Sequence, residues 1–399
     1  MYFVSSEFDK ALVASIREVT MRLKMVELTT SAGYYRYAAL QEIDQVIEGT
    51  VYVDTARATR RTMQMRLENT DGLFTPEKPG DTFYWDAVFQ LEYGLKVGDE
   101  YLYHTCGTFM VDRTEVLAEK EASVLNIDGS DLWKKLQKSS FALPKAYFVD
   151  ATYNSVILDM ANAAGIYNMQ LDPLTARATA EKELQAPLYF EIEDNRGDKL
   201  WELCEKWNLD IWFDVYGTLR TRDRAARIAE LDNTAPHWTF AGGEEAIFIN
   251  LTKSRSGDTV YNHYVVLGEG DDGNPVVAGQ AIDGLGTTTA GVYYTDSATS
   301  ATSVEAIGDR VTFIKTSEVR TTVAARAMAE AELAKGSSVE EDIRIPSMVV
   351  PHFEGFDVVE IVEEEMSKTN DKYFLKRFDI PMRSGSQQEI NVSKLRGIS

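Results

Sequence analysis

Hydrophobic and polar positions follow two rhythms along this chain. From Met25 to Val116 the period is two: "MVELTT", "TVYVDT", "RRTMQMRLEN", "AVFQLEYGL" and "HTCGTFMVDRTEV" alternate or run β-branched and aromatic. Turn clusters at 31–33, 69–72, 76–81 and 98–99 separate these strands. Residues 5–24 instead fit a short amphipathic helix, capped by Ser5 or Ser6, with Phe8, Leu12, Val13 and Ile16 on one face. Ser130 caps another helix, whose apolar face is Leu132, Trp133 and Leu136, and "NSVILDMANAAG" makes a further one ended by Gly165. The most informative stretch is Lys199 to Asp223. Leu200, Trp201, Leu203, Cys204 and Trp207 recur at helical spacing. After Asn208, Ile211 and Phe213 alternate with Trp212 and Asp214, Tyr216-Gly217 turns the chain, and Leu219 starts a return strand. Trp201, Trp207, Trp212 and Gly217 are therefore structural anchors of a local core.

Strands return from His237. Residues 284–303, rich in Gly, Thr, Ser and Ala, read as a long exposed loop or hairpin arm, with Val292, Tyr293 and Tyr294 as candidate subunit-contact residues. A helix capped by Thr316 or Ser317 follows, with Val319, Val323, Ala327, Met328 and Ala331 on one face and Gly336 at its end. Three strand-like runs finish the chain. The pattern predicts a β-rich, multi-domain α+β protein: an N-terminal helix over 1–24, a β-barrel-like domain over 25–128, and a mixed α/β middle domain over 129–232. A second β-barrel-like domain over 233–399 carries an inserted loop or arm at 268–310.

Composition narrows the function. The 399 residues are 44% hydrophobic and 26% charged, enough to bury sizeable cores in two to four domains. Cys106 and Cys204 fall in apolar patterns as buried free thiols, with no disulfide framework. No apolar run approaches the ~20 residues of a membrane span, and the N-terminus lacks a signal-peptide pattern, so a soluble, unexported chain without membrane insertion is expected. A net charge of −22 argues against direct affinity for nucleic acid. It fits plain solubility, adaptation to high salt, or a surface that must not hold DNA passing close by.

No motif assigns catalysis, and no cofactor or metal ligand is expected. His104, His237, His263 and His352 are isolated in sequence, and neither GxSxG nor a cysteine-protease signature occurs. Gly268, Gly270 and Gly273 make a GxGxxG, but no helix follows, and Asp271 and Asp272 would sit where a pyrophosphate needs bare N–H groups; a β-turn fits better. "EIEDNRGDKLWE" and "GEGDDGNP" do not reproduce a calcium loop in register. Glu363, Glu364 and Glu365 fit either a solvated strand edge or the wall of a ring's bore. Tyr34, Tyr35, Tyr37, Phe83, Tyr84 and Trp85 suit an interface and a β core equally.

Phe213, Asp214, Gly217, Leu219 and Arg222 give aromatic-Asp-x-x-Gly-x-Leu-x-x-Arg after a helix, which resembles the middle segment of the baseplate hub (minor tail) proteins of tailed viruses. The opening "YFVSSEFDKAL", with Gly49, Val51, Asp54, Arg60, Arg61, Gly107, Phe109 and Val111, is similar to that family's N-terminal domain. The Ala/Arg-rich segment "TSEVRTTVAARAMAEAELAKG" and Gly355-Phe356-Asp357 are similar to its ending, whereas "LFTPEKPGDTFYW" departs from it. The resemblance implies a non-enzymatic virion protein, assembled in the host cytoplasm. It implies a homotrimer at the distal end of the tail tube, whose two barrel-like tube domains per chain form a pseudo-sixfold ring. Implied partners are the tail tube or distal tail protein, a central spike or fibre protein, the tape-measure protein, and genomic DNA that passes without specific binding. Glu363, Glu364 and Glu365 are then candidate channel-facing residues, and the chain's end soon after its last hairpin leaves no room for a lysozyme or peptidase domain. A carbohydrate-active or adhesive tail-tip protein and the hub of a phage-tail-like injection machine are the alternatives.

Overall fold

The computed structural model describes residues 4–14, 17–31, 34–85, 87–118, 123–149, 151–177, 182–184, 187–242, 247–256, 261–269, 275–283, 292–295, 308–316, 325–326, 328–329, 333, 340–362 and 371–394. Two compact units divide the chain. One holds Met1–Leu251 and Arg344–Val392, the other Thr252–Ile343 and Ser393–Ser399.

The first unit opens with helix α1 (Ser6–Leu12), capped by the Ser5 hydroxyl, which accepts from the Phe8 N–H. The helix buries Phe8 and Leu12 and ends there, short of the expected Lys24. Val13 is 53% exposed, and strand β1 already runs from Val19 to Ser31. The reason lies in "MRLKMVEL", whose period of two lets Leu23 and Met25 face the core of a sheet. Strands β2 (Tyr34–Ile43), β3 (Val46–Asp54), β4 (Arg61–Glu68), β5 (Val88–Val97), β6 (Glu100–Ala118) and β7 (Ser123–Ser130) follow. Their order in space is β3-β4-β7-β6-β5-β1-β2, every neighbour antiparallel. On β4, Arg61, Met63, Met65 and Leu67 point inward while Thr62, Gln64, Arg66 and Glu68 face out. The sheet curls barrel-like: a Cβ at Gly49 on β3 would lie 3.5 Å from Met21 on β1 and 3.6 Å from Leu91 on β5.

The middle segment comprises α2 (Trp133–Gln137), β8 (Lys145–Tyr147), α3 (Tyr153–Ala163), β9 (Met169–Gln170), β10 (Leu188–Phe190), α4 (Arg196–Lys206), β11 (Leu209–Phe213), β12 (Leu219–Asp223) and α5 (Arg224–Asn233). The helix-then-hairpin reading of 199–223 is therefore observed. The helix starts at Arg196 because the Asn195 side chain accepts from the Gly197 and Asp198 N–H groups. Leu132, Trp133, Leu136, Val156, Leu200 and Phe213 meet in one apolar core. Strand β13 (Trp238–Ala241) leaves this segment.

The second unit contains β14 (Thr252–Ser256) and a sheet of β15 (His263–Glu269), β16 (Pro275–Asp283), β17 (Val292–Thr295) and β18 (Val311–Thr316), ordered β17-β16-β15-β18. β15 and β16 pair antiparallel, so the glycine-rich link between them joins two strands of a hairpin and opens no nucleotide-binding helix. Ala325, Ala329 and Leu333 are helical and buried against Tyr264 and Val266, with Met328 partly buried. Of the helix face read from the sequence, Val319, Val323, Ala327 and Ala331 lie outside the described residues.

Strands β19 (Glu340–Met348), β20 (Val358–Val362), β21 (Asp371–Pro381) and β22 (Gln387–Lys394) close the chain. They extend the large sheet as β19-β22-β21-β3, with β20 on β21 and β13 parallel to β20. Sheet pairing thus runs from the 25–128 segment straight into the C-terminal strands, and the compact units divide the chain at 251/252, 343/344 and 392/393. The connection Val349–Asp357 is almost wholly buried, its amides bonded to the Gln388 and Asp357 side chains and to the Leu375 carbonyl.

Candidate functional site

The β11–β12 hairpin is held by Asp214, whose side chain is fully buried. Its Oδ1 accepts from the N–H groups of Tyr216 (3.0 Å) and Thr218 (2.9 Å), and its Oδ2 accepts from Arg220 Nε at 2.6 Å. Burial nevertheless raises its carboxyl above the ordinary range. The Asp-x-x-Gly spacing thus has a mechanical cause: Asp214 closes the turn and Gly217 supplies its left-handed residue, with φ +73°. A Cβ at Gly217 would come within 3.0 Å of Leu132 and Tyr37. Gly217→Ala is expected to cost about 1–3 kcal/mol, from left-handed strain plus crowding, read as a lower urea midpoint.

The three tryptophans of this stretch play unequal parts. Trp201 and Trp207 are partly buried against the middle core, and Trp207 stacks on Tyr153 with ring centroids 4.3 Å apart. Trp212 carries the guanidinium groups of Arg60 and Arg222 on its ring, at 4.9 and 5.7 Å. The deepest anchor is Trp133, fully buried, with its ring edge-on to Trp201 and Phe213.

Two isolated histidines do meet. The His104 and His352 rings lie 6.1 Å apart, and α1 covers them: Phe8 sits edge-on to His352, and Asp9 Oδ1 is 3.6 Å from its Nε2. Burial holds His104 down to about 4 and His352 down to about 3. Both folded values lie below the unfolded ~6.5, so on acidification the unfolded chain takes up protons first and stability falls as pH drops from about 6.5 toward 4. Asp131, lifted by burial to about 6, opposes this trend by gaining a proton in the fold. Going from pH 7 to 4.5 is expected to remove about 3 kcal/mol. Urea titrations of the protein and of His352→Phe check it, the variant losing less. Among the described residues no His, Cys, Asp and Glu side chains group as a metal site, and no helix is long and apolar enough to cross a membrane. Cys106 and Cys204 are buried free thiols, and burial pushes Cys106 up to about 12.

Two features of the exposed surface stand out. The outward face of β3, β4, β6 and β7 forms a shallow cavity of about 600 Å³ lined by Glu48, Gln64, Arg66, Arg113, Glu115 and Asp128. Its charge is mixed, so the overall acidity is not concentrated there. Apolar rings stand out elsewhere: Tyr34 is 79% exposed, Trp85 71%, Phe148 69% and Tyr189 71%, while Phe83 is core. This divides an aromatic set that sequence left undivided. Val292, Tyr293 and Tyr294 lie on β17, paired with β16 in parallel, so β17 is not the return strand of a hairpin from β16. Glu363, Glu364 and Glu365 lie outside the described residues.

No protein-family model and no curated protein sequence matches the chain. Solved structures do. The tail protein of Neisseria meningitidis MC58 superposes with a TM-score of 0.62 at 11% identity, over 94% of this chain and 96% of that one. The 43 kDa tail protein of prophage MuSo2 from Shewanella oneidensis gives 0.58 at 13%, over 94% and 98%. A chain of the Francisella PdpA-VgrG complex gives 0.53 at 8%, over 95% of this chain and 58% of that one. The fold is that of phage tail proteins, the class that the Phe213–Arg222 motif and the N-terminal pattern resemble.

Proposed function

We propose that the chain is a structural protein of a phage tail, the hub at the distal end of the tail tube. The observation that carries this reading is end-to-end coverage: the tail proteins of Neisseria meningitidis and of prophage MuSo2 align over 94% of this chain and over 96% and 98% of their own. In this reading the chain acts without catalysis, in the virion tail, after assembly in the host cytoplasm. Three copies form a ring in which segments 25–128 and 233–399 serve as tube domains and 129–232 as the widened base. The ring joins the tail tube or distal tail protein to a central spike or fibre, with the tape-measure protein and then the DNA passing through. The net charge of −22 supports a bore that DNA slides past, with Glu363, Glu364 and Glu365 as its candidate lining. Val292, Tyr293 and Tyr294 are the candidate subunit contact. A closed ring of three needs one head-to-tail interface, made by two different, mutually complementary surfaces of each copy, for which the exposed rings are suited.

Light scattering with negative-stain imaging tests the reading, with the purified chain expected at three times its mass around a central hole. A monomer with a deep cleft, at every concentration, would count against it. The match to the Francisella PdpA-VgrG complex favours a second reading, the hub of a phage-tail-like injection machine. Neighbouring genes for a capsid point to a virus, and their absence beside tube and sheath genes points to the machine.

A further inference from the structure

The connection from β3 to β4, the start of α5 and strand β11 enclose a cleft of about 390 Å³ in the first unit. Three arginines line it, Arg60, Arg224 and Arg227, against two acids, Asp210 and Glu205. Arg224 donates from Nε to Asp210 at 2.9 Å and from Nη1 to Glu205 at 2.9 Å, and Arg227 donates from Nε to the other Asp210 oxygen at 2.6 Å. Both acids are thereby used, which leaves one positive charge in excess.

That charge is Arg60. The residue is 2% exposed, and its Nε and Nη1 are buried with no hydrogen-bond acceptor among the described residues; Nη1 of Arg227 is in the same position. Its guanidinium lies 4.9 Å from the Trp212 ring centroid and 5.2 Å from that of Phe356. The two rings hold its plane but accept none of its N–H groups. Burial lowers Arg60 to about 10, and Asp210 and Glu354 act against that fall. A buried guanidinium with unused donors on a cleft is costly to keep unless something accepts from it. Access exists: Ala56 at the mouth is exposed, and the Glu205 side chain is 42% exposed.

We propose that this cleft is an oxyanion-binding site, in which Arg60 and Arg227 receive one carboxylate- or phosphate-type group. A single such group balances the excess charge and accepts from the free donors in charge-assisted hydrogen bonds. The volume suits a small anion or one side chain, at the low end of small-molecule sites. The chain's overall acidity does not forbid it, because at physiological salt that field is screened within about 8 Å. The site does not depend on the tail reading. Its anion comes either free from solution or as an acidic side chain of an adjoining polypeptide.

The test is thermal unfolding of the full chain at constant ionic strength, with sodium chloride replaced stepwise by sodium phosphate, sodium glutarate or a blocked glutamate (N-acetylglutamate amide). Ligands that bind only the folded state raise Tm with concentration. The expected result is a saturable rise over chloride that is lost in Arg60→Met and in Ala56→Trp, which fills the mouth while keeping Arg60. Arg113→Gln, on the open sheet face, retains the rise. In chloride alone, Arg60→Met unfolds at the same temperature or higher, since it removes an unsatisfied charge. A rise with blocked glutamate assigns the anion to a polypeptide side chain, and a rise with phosphate or glutarate alone assigns it to a free ion. No rise over chloride with any probe would overturn the site. So would an unchanged rise in both Arg60→Met and Ala56→Trp, which marks a general salt effect.

Discussion

Replacing Trp133 with alanine is expected to lower the stability of the first unit by about 3–5 kcal/mol, among the largest effects available to a single change in this protein. The indole is fully buried between Trp201 and Phe213, with Leu132, Leu136 and Leu200 in the same core. Removing it takes away its transfer free energy and leaves a cavity whose walls belong to three helices and a hairpin, and these cannot all close on it. Its Nε1 has no hydrogen-bond partner among the described residues, so Trp133→Phe forfeits volume alone and is expected to cost less than half as much. Urea denaturation of both variants decides the matter. A loss under 1 kcal/mol for the alanine variant would mean that the middle core is organised elsewhere.

Glu354→Ala is expected to cost about 3–5 kcal/mol for a different reason. Arg61 is 1% exposed and donates from Nη2 to Glu354 Oε1 at 2.5 Å and from Nη1 to the Cys106 carbonyl at 3.3 Å. Glu354 Oε1 also accepts from the Gly355 N–H. Deleting the carboxylate strands a buried guanidinium and loosens the Val349–Asp357 connection that ties the C-terminal strands to β4. The pair itself is worth little against an apolar replacement, because each charge loses its hydration on burial. Arg61→Met with Glu354→Leu is therefore expected to recover most of the loss. If the double variant is no better than Glu354→Ala, the damage lies in the connection's packing and not in the orphaned charge.

These two sites show where sequence was readable and where it was not. Local periodicity places α4, β11, β12 and most strands of the first sheet, because a 3.6 or 2.0 repeat is imposed by one buried face. It overruns at α1, where Val13 and Ile16 prolong a helical pattern that β1 ends from Val19 onward. Trp133 reads as an apolar helix residue, but its being deeper than Trp201, Trp207 or Trp212 depends on α4 and β11 closing over it. Val349–Asp357 has no period at all, and its burial is possible because the distant Gln388 and Leu375, together with Glu354 and Asp357 of the connection itself, satisfy its amides. The pairing of Arg61 with Glu354 spans 293 positions, and nothing in a local window signals it. The Arg60 cleft was visible as half of an Arg60-Arg61 pair, yet the different fates of the two arginines come from the tertiary fold. The motif around Asp214 and Gly217 was legible as a likeness, and the buried carboxylate at the turn explains why those residue types stand there.

The most direct measurement is the position of this protein on the particle. Particles from the source of the gene, labelled with gold-conjugated antibody against the chain and imaged by electron microscopy, are predicted to carry label at the distal tip of the tail. The same particles resolved by cryo-EM are predicted to show three copies around an axial channel there. Label on the capsid or along the tube wall, or tail tips complete without the chain, would contradict the account.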